Sequence, residues 1–153
     1  MRLGTVLKHL SELEQAAADL YEWYAQIFDD IEDAKAFFTK MHKEELAHRD
    51  LVDFQRRLTV QSSDTFDEVA VQLQEIKAAI GTIEKHMSEG VFELKDALDF
   101  ACWLENNIAE THYKTAVSKS NPEFAKLIQA LAKGDQNHSL QMQVFAEKMS
   151  KSP

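Results

Sequence analysis

The chain is poor in the residues that interrupt helices or form covalent cross-links. Its 153 residues include four glycines and two prolines, one of which is the terminal Pro153. So few breakers favour long, uninterrupted helices. The single cysteine, Cys102, excludes a disulfide within the chain, and it equally excludes a four-cysteine iron or zinc centre.

Positive charge and long apolar runs are also scarce. The net charge of −9 disfavours nucleic acids and anionic membrane surfaces as partners, because both are polyanions. No apolar run approaches the length of a membrane span, and the first residues lack the apolar stretch of a signal peptide. We therefore expect no nucleic-acid partner and no membrane, with the cytoplasm as the default compartment.

Helical periodicity is what the sequence does contain. Five stretches carry apolar residues at alternating three- and four-residue spacing. They cover residues 5–29, residues 33–60, the segment between the polar residues 61–64 and Gly90, residues 92–118, and a last stretch that begins at Pro122. Asn121 and Pro122 are typical of the first two positions of a helix. No linker rich in proline, glycine or serine divides the chain, so we predict a single all-α domain over residues 1–153.

Two short motifs join a carboxylate to a histidine one helical turn later. Glu45 precedes His48 by three residues, and Asp135 precedes His138 by three residues, so each pair shares a helix face. Of the six histidines, only these two have an acidic residue three positions earlier. Such a motif is weak evidence by itself, but the chain contains it twice.

A further carboxylate precedes each motif at nearly the same distance. Glu14 lies 31 positions before Glu45, and Glu105 lies 30 positions before Asp135. The chain therefore looks like a duplicated helical hairpin, with the third helix as a crossover. Two glutamate-bearing helices and two carboxylate-x-x-histidine helices are the ligand set of a di-iron carboxylate four-helix bundle.

All six residues lie on apolar stripes and are expected to point into the core. Four buried carboxylates repel one another, and two divalent cations would neutralise them. Oxygen and imidazole ligands without a thiolate suit iron or manganese better than a structural zinc ion. We predict two iron ions per chain, with manganese or a mixed pair as the alternative; ordinary charged helix surfaces are the competing interpretation. The predicted ligands are Glu14, Glu45, His48, Glu105, Asp135 and His138.

This set of motifs resembles the rubrerythrin-type di-iron domain of the ferritin-like superfamily over nearly the whole chain. Three segments carry the resemblance: Leu13-Glu14 with Tyr21, Leu104-Glu105 with Tyr113, and Glu45-Leu46-Ala47-His48. The resemblance implies a ferritin-like four-helix bundle with a helical crossover connection. It also implies that Glu14 and Glu105 are terminal ligands and that Glu45 and Asp135 bridge the metals.

The resemblance also implies roles for nearby groups. Tyr21 and Tyr113 would donate hydrogen bonds to the ligating carboxylates, with plain core packing as their alternative role. His112 lies seven residues after Glu105, on the same stripe. It is a candidate seventh ligand or proton donor, and a hydrogen-bonded core position is its alternative.

Three features depart from the family pattern. Asp135 has one methylene fewer than the usual glutamate, so chelation of a single metal is the alternative to bridging at this position. Ile108 occupies the position at which rubrerythrins carry a further glutamate. The rubredoxin-like iron domain is absent, so the resemblance implies that electrons come from another protein.

The predicted function is a redox reaction with hydrogen peroxide or dioxygen, carried out by a di-iron oxidoreductase with an external electron-donor protein. A second interpretation is a ferroxidase that supplies iron storage. A third is a structural bundle whose metal site is vestigial. The amphipathic third helix can cover its own bundle or pair with another subunit, so a homodimer is also compatible with the sequence.

Overall fold

The computed structural model describes residues 3–58, 69–91, 93–117 and 122–151. Within these ranges it describes all side chains except those of residues 3, 69–72, 109–117, 122–125, 127, 128, 132 and 135. The described residues form five helices and no strand, which confirms the predicted all-α class. The helices are α1 (Leu3–Ile27), α2 (Glu32–Leu58), α3 (Val69–Glu89), α4 (Leu94–Val117) and α5 (Pro122–Ser150). None of the described helices is apolar over a length that would cross a membrane.

A link of four residues, 28–31, turns the chain from α1 into α2. Phe28 donates its backbone N–H to the carbonyl of Tyr24 at 2.9 Å, and Ile31 donates to the carbonyl of Phe28 at 3.0 Å. The helix that follows begins with two acidic residues and ends with two arginines, charges that stabilise the positive and negative ends of its dipole. The short link brings α1 against α2 as a helical hairpin.

Apolar side chains at three- and four-residue spacing fill the interface of this hairpin. The ring of Tyr21 stacks on Phe38, with centroids 6.2 Å apart and planes 12° from parallel. Both aromatic side chains are fully buried. The other fully buried residues of the hairpin include Leu7, Leu10, Leu13, Ala17, Met41 and Val52. Burial of such side chains from two facing stripes is the main free-energy gain that holds the helices together.

α3 is held against α1 by a polar contact inside aromatic surroundings. The hydroxyl of Tyr24 and Nε2 of His86 share a hydrogen bond of 2.5 Å, and the ring of Trp23 lies edge-on to the same imidazole. Burial raises the pKa of Tyr24 above its ordinary value, so the phenol stays protonated. α3 is followed by Gly90 at φ +81°, a left-handed conformation that glycine adopts without a Cβ penalty. The helix end predicted at Gly90 is confirmed, whereas the start predicted at residues 61–64 lies outside the described residues.

The chain divides into two compact units, Met1–Ser88 and Glu89–Pro153. The first unit contains α1, α2 and nearly all of α3, and the second contains α4 packed against α5. In the second unit, the carbonyl of Glu93 accepts the backbone N–H groups of Asp96 and Ala97 and starts α4. α5 begins at Pro122 as predicted, and Asn121 lies outside the described residues. The single domain over residues 1–153 stays a prediction.

Candidate metal centre

In the first unit, the two helices of the hairpin bring three predicted ligands together. Glu14 occupies a core position of α1, and Glu45 and His48 occupy core positions of α2. Both glutamates are fully buried, and 17% of the His48 side chain is exposed. The predicted inward orientation of the two carboxylates is therefore confirmed, with the imidazole at their solvent side.

The three side chains converge on one small volume. Nδ1 of His48 lies 3.7 Å from Oε2 of Glu14 and 3.7 Å from Oε2 of Glu45. These separations are longer than a hydrogen bond. Two ligand atoms on one metal ion, each at roughly 2.1 Å from it, are about 3.0–3.6 Å apart at ordinary coordination angles. The separations of 3.7 Å lie just above this range, so the side chains would move slightly closer together to share an ion. Glu45 and His48 belong to a group of glutamate and histidine residues that can hold a metal ion.

The electrostatics of the triad favour a positive charge between the carboxylates. Burial by itself lowers the pKa of His48, but its interactions with Glu14 and Glu45 outweigh this effect and raise the pKa to about 10. In the metal-free protein the imidazole is therefore protonated at neutral pH and partly balances the two carboxylates. A divalent cation would replace that proton and supply one more unit of positive charge.

Two hydrogen bonds between α1 and α2 flank these ligands. Arg49, which follows His48, donates to the side-chain oxygen of Gln15, which follows Glu14. On the other side, Nδ1–H of His42 donates to the carbonyl of Ala18 at 2.7 Å. Together these contacts fix the height of α1 against α2 at the level of the ligands. Neither contact was predictable from the sequence, because each joins residues that are far apart in the chain and have no distinctive spacing.

The second unit contains a matching contact. Glu105 of α4 is fully buried, and 4% of His138 of α5 is exposed. Nδ1 of His138 lies 3.7 Å from Oε2 of Glu105, the same separation as between His48 and each glutamate in the first unit. His138 is likewise among the residues that can serve as metal ligands. The duplication inferred from sequence spacing therefore extends to the local geometry of the carboxylate and the imidazole.

Not all predicted site residues can be placed. Asp135, His112 and Tyr113 lie within α5 and α4, but their side chains fall outside the described ones, so their predicted roles stay predictions. Tyr21 is fully buried two helical turns from Glu14, and its predicted hydrogen bond to a carboxylate also stays a prediction. Ile108 is fully buried one turn after Glu105, so an apolar group occupies that core position.

Cys102 lies one turn before Glu105 and is half-buried. Burial first, and then the negative charges of Asp99 and Glu105, raise the pKa of its thiol. A thiol in these surroundings stays protonated at neutral pH and is a poor nucleophile and a poor metal ligand. The donor set of the second unit therefore consists of oxygen and nitrogen.

Comparisons with protein-family models, with curated proteins and with solved structures found no match to this chain. The assignment of a function depends on the chemistry of the residues themselves.

Proposed function

We propose that this protein is a dinuclear non-haem iron protein of the rubrerythrin type. It reacts with hydrogen peroxide or dioxygen and receives electrons from an external donor protein. The observation that carries the proposal is the repeated contact between a buried glutamate and a histidine Nδ1 at 3.7 Å, present twice in the first unit and once in the second. A buried anionic oxygen beside an imidazole is a donor pair that binds divalent iron or manganese.

The stoichiometry follows from the duplicated sequence pattern. Each half supplies two carboxylates and one imidazole: Glu14, Glu45 and His48 from the first, and Glu105, Asp135 and His138 from the second. Four carboxylates balance two divalent cations, so a centre built from both halves is neutral. A neutral centre avoids the high free-energy cost of a net charge in an apolar interior.

The residues around the ligands keep water out and hold the ligands in place. Leu10, Leu13, Ala17 and Met41 are fully buried on the same stripes as the ligands. They restrict access to small molecules, and they strengthen electrostatic interactions at the site. A pair of bound irons supplies two electrons for the reduction of a small oxidant.

Tyr21 and His112 are the proposed groups for hydrogen bonding and proton delivery. The phenol of Tyr21 would hold a carboxylate in its ligating orientation, as the resemblance implies. His112 would supply a proton as the O–O bond breaks, since its position on α4 follows Glu105 by two turns. Substitution of Tyr21 should lower metal affinity as well as turnover, because a group that orients a ligating carboxylate also supports metal binding. Substitution of His112 should slow turnover with the metal content unchanged if His112 is the proton donor, and should lower the metal content if it is a seventh ligand.

Anaerobic titration with hydrogen peroxide tests the proposal. The reduced, iron-loaded protein should consume about one peroxide per chain, since two electrons reduce one peroxide. Consumption should then stop and resume when a reductant is added. A His48→Ala/His138→Ala variant is the matched control, and it should consume no peroxide beyond the background of free iron.

Iron titration separates this function from iron storage. Uptake that ends at about two irons per chain supports a redox enzyme. Continued oxidation and retention of many more irons per chain would instead support a ferroxidase that supplies a storage compartment. A protein that binds no iron or manganese at all would be a structural bundle, and the proposal would be wrong.

A further inference from the structure

The C-terminal half of α2 carries a second apolar face that does not belong to the core. Three large side chains on it are exposed, Leu51 at 43%, Phe54 at 53% and Leu58 at 61%. Ala47, one turn earlier, is also exposed. The steps between these four residues are four, three and four, which is the spacing of a coiled-coil seam. We call this set the α2 seam.

The α2 seam is distinct from the face that packs in the first unit. At 100° per residue, the seam is centred roughly 130° around the helix from the buried stripe that contains Phe38 and Val52. Isolated exposed apolar residues are common, but a continuous row at heptad spacing is typical of surfaces that bind another helix. α2 therefore has one apolar face in its own core and a second apolar face that is exposed.

Charged residues beside the α2 seam indicate which partner fits. Asp50 and Arg57 are seven residues apart and lie on the same flank, one heptad apart. Both are exposed, and the guanidinium of Arg57 lies 5.9 Å from the ring of Phe54. Arg49 donates two hydrogen bonds to one carboxylate oxygen of Asp50, the shorter at 2.7 Å. The flank thus carries an exposed carboxylate, paired with Arg49 through that oxygen, near the middle of the seam and a guanidinium near its end.

We propose that a second copy of this chain occupies the α2 seam, with the two α2 helices antiparallel about a two-fold axis between Leu51 and Phe54. In this arrangement Leu51 packs against Phe54 of the other copy. Asp50 then lies opposite Arg57 of the other copy, and the pair is formed twice by symmetry. A parallel pairing would instead set Asp50 opposite the uncharged Gln55, so the charge pattern selects the antiparallel dimer.

Analytical ultracentrifugation over about a hundredfold range of concentration tests the dimer. The wild-type chain should shift from monomer to dimer, and Phe54→Glu should remain a monomer across the range. Val144→Glu is the matched control, because Val144 of α5 is also an exposed apolar residue, at 67%. The measured mass of this variant should change with concentration as that of the wild type does. A wild-type chain that stays monomeric would overturn the proposal, including the case in which residues 59–68 of the same chain cover the seam.

Charge reversal tests the antiparallel register. Unlike Phe54→Glu, it places no charge at an apolar position. Asp50→Arg and Arg57→Asp should each weaken the dimer by at least about tenfold in dissociation constant, because like charges then face each other. The double variant restores opposite charges and should return the constant to near the wild-type value. A double variant as weak as the two single variants would contradict this register. Arg57→Asp should leave bound iron or manganese unchanged, so the result for this variant is independent of the metal centre. Asp50→Arg also removes the ion pair between Asp50 and Arg49, so its metal content is measured on the same samples.

Discussion

The charge of the His48 imidazole depends directly on whether Glu14, Glu45 and His48 hold a metal ion. In the metal-free protein its pKa of about 10 lies above the ordinary value of 6.5. The folded protein therefore holds a proton that the unfolded chain releases near pH 6.5. A metal ion competes with that proton for the same imidazole.

We expect the metal-free protein to lose stability as the pH rises. The folded-state pKa is raised, so the contribution of His48 is complete below about pH 6.5 and is lost between pH 6.5 and about 10. Urea unfolding at pH 6 and pH 9.5 should show this loss, and His48→Gln should reduce it. His9→Gln is the control, because His9 pairs with Glu12 within α1, away from the ligands. An unchanged pH slope in His48→Gln would contradict the assignment.

Ile108 gives a second prediction at the level of one side chain. Ile108→Glu inserts a carboxylate at a fully buried position one turn after Glu105. It should lower the unfolding free energy of the metal-free protein by about 2 kcal/mol or more, since a buried charge is costly. With iron bound, the loss should be smaller and peroxide turnover faster than in the wild type.

Ile108→Gln separates ligation from polarity alone. Glutamine has nearly the same shape as glutamate but does not ligate as an anion. Its loss of stability should be the same with and without iron, and its peroxide turnover should not rise. Identical behaviour of the two variants would show that position 108 does not reach the metals.

At the level of the helices, Gly81 within α3 and Gly90 just after its end should respond in opposite ways to replacement by alanine. Gly81 lies in an exposed part of the helix interior, where a Cβ would meet nothing within 4 Å. Gly90 follows the helix at φ +81°, where a Cβ is strained whatever the space. Gly81→Ala should raise the unfolding free energy by roughly 0.5–1 kcal/mol, because alanine loses less backbone freedom on folding. Gly90→Ala should lower it by about 1 kcal/mol, and chemical denaturation of both variants measures the difference.

The helices were the most predictable part of the molecule, because apolar periodicity is local in sequence. The first stretch, predicted at residues 5–29, corresponds to α1 at Leu3–Ile27, and the start at Pro122 and the end at Gly90 are confirmed. Glu14 and Glu45 were correctly predicted to be buried because they interrupt otherwise apolar stripes.

Contacts between distant residues were not predictable from the same pattern. The hydrogen bonds of Arg49 to Gln15 and of Tyr24 to His86 depend on how the helices pack against one another. A single sequence contains no direct record of that packing. The α2 seam was not predicted for a different reason: the strongest apolar stripe of α2 is its core face, and the seam is a second, shorter stripe on the same helix.

At the scale of the whole molecule, the proposed centre takes its six ligands from both halves of the sequence. In the first unit, two carboxylates share one imidazole, with Nδ1 of His48 3.7 Å from an oxygen of each. If the six ligands form one dinuclear centre, the loss of a ligand from either half of the sequence should weaken the binding of both ions. If they do not, each unit would bind a separate ion, and the two ions would be independent.

Single substitutions of the two histidines distinguish these cases. For one shared centre, His48→Ala and His138→Ala should each reduce the metal content well below one ion per chain, because the loss of one imidazole leaves unbalanced carboxylates for the other ion. Each ion at 100 times its dissociation constant should add about 2.7 kcal/mol to the unfolding free energy of the wild type, and the two ions together about twice that amount. It should add much less to either variant. Metal analysis and calorimetry of the same samples measure both quantities, with His9→Ala as the control for loss of a histidine outside the site.

Retention of one ion per chain in both variants, with roughly half of the added stability, would mean two separate sites and would exclude two-electron chemistry at a shared pair of metals.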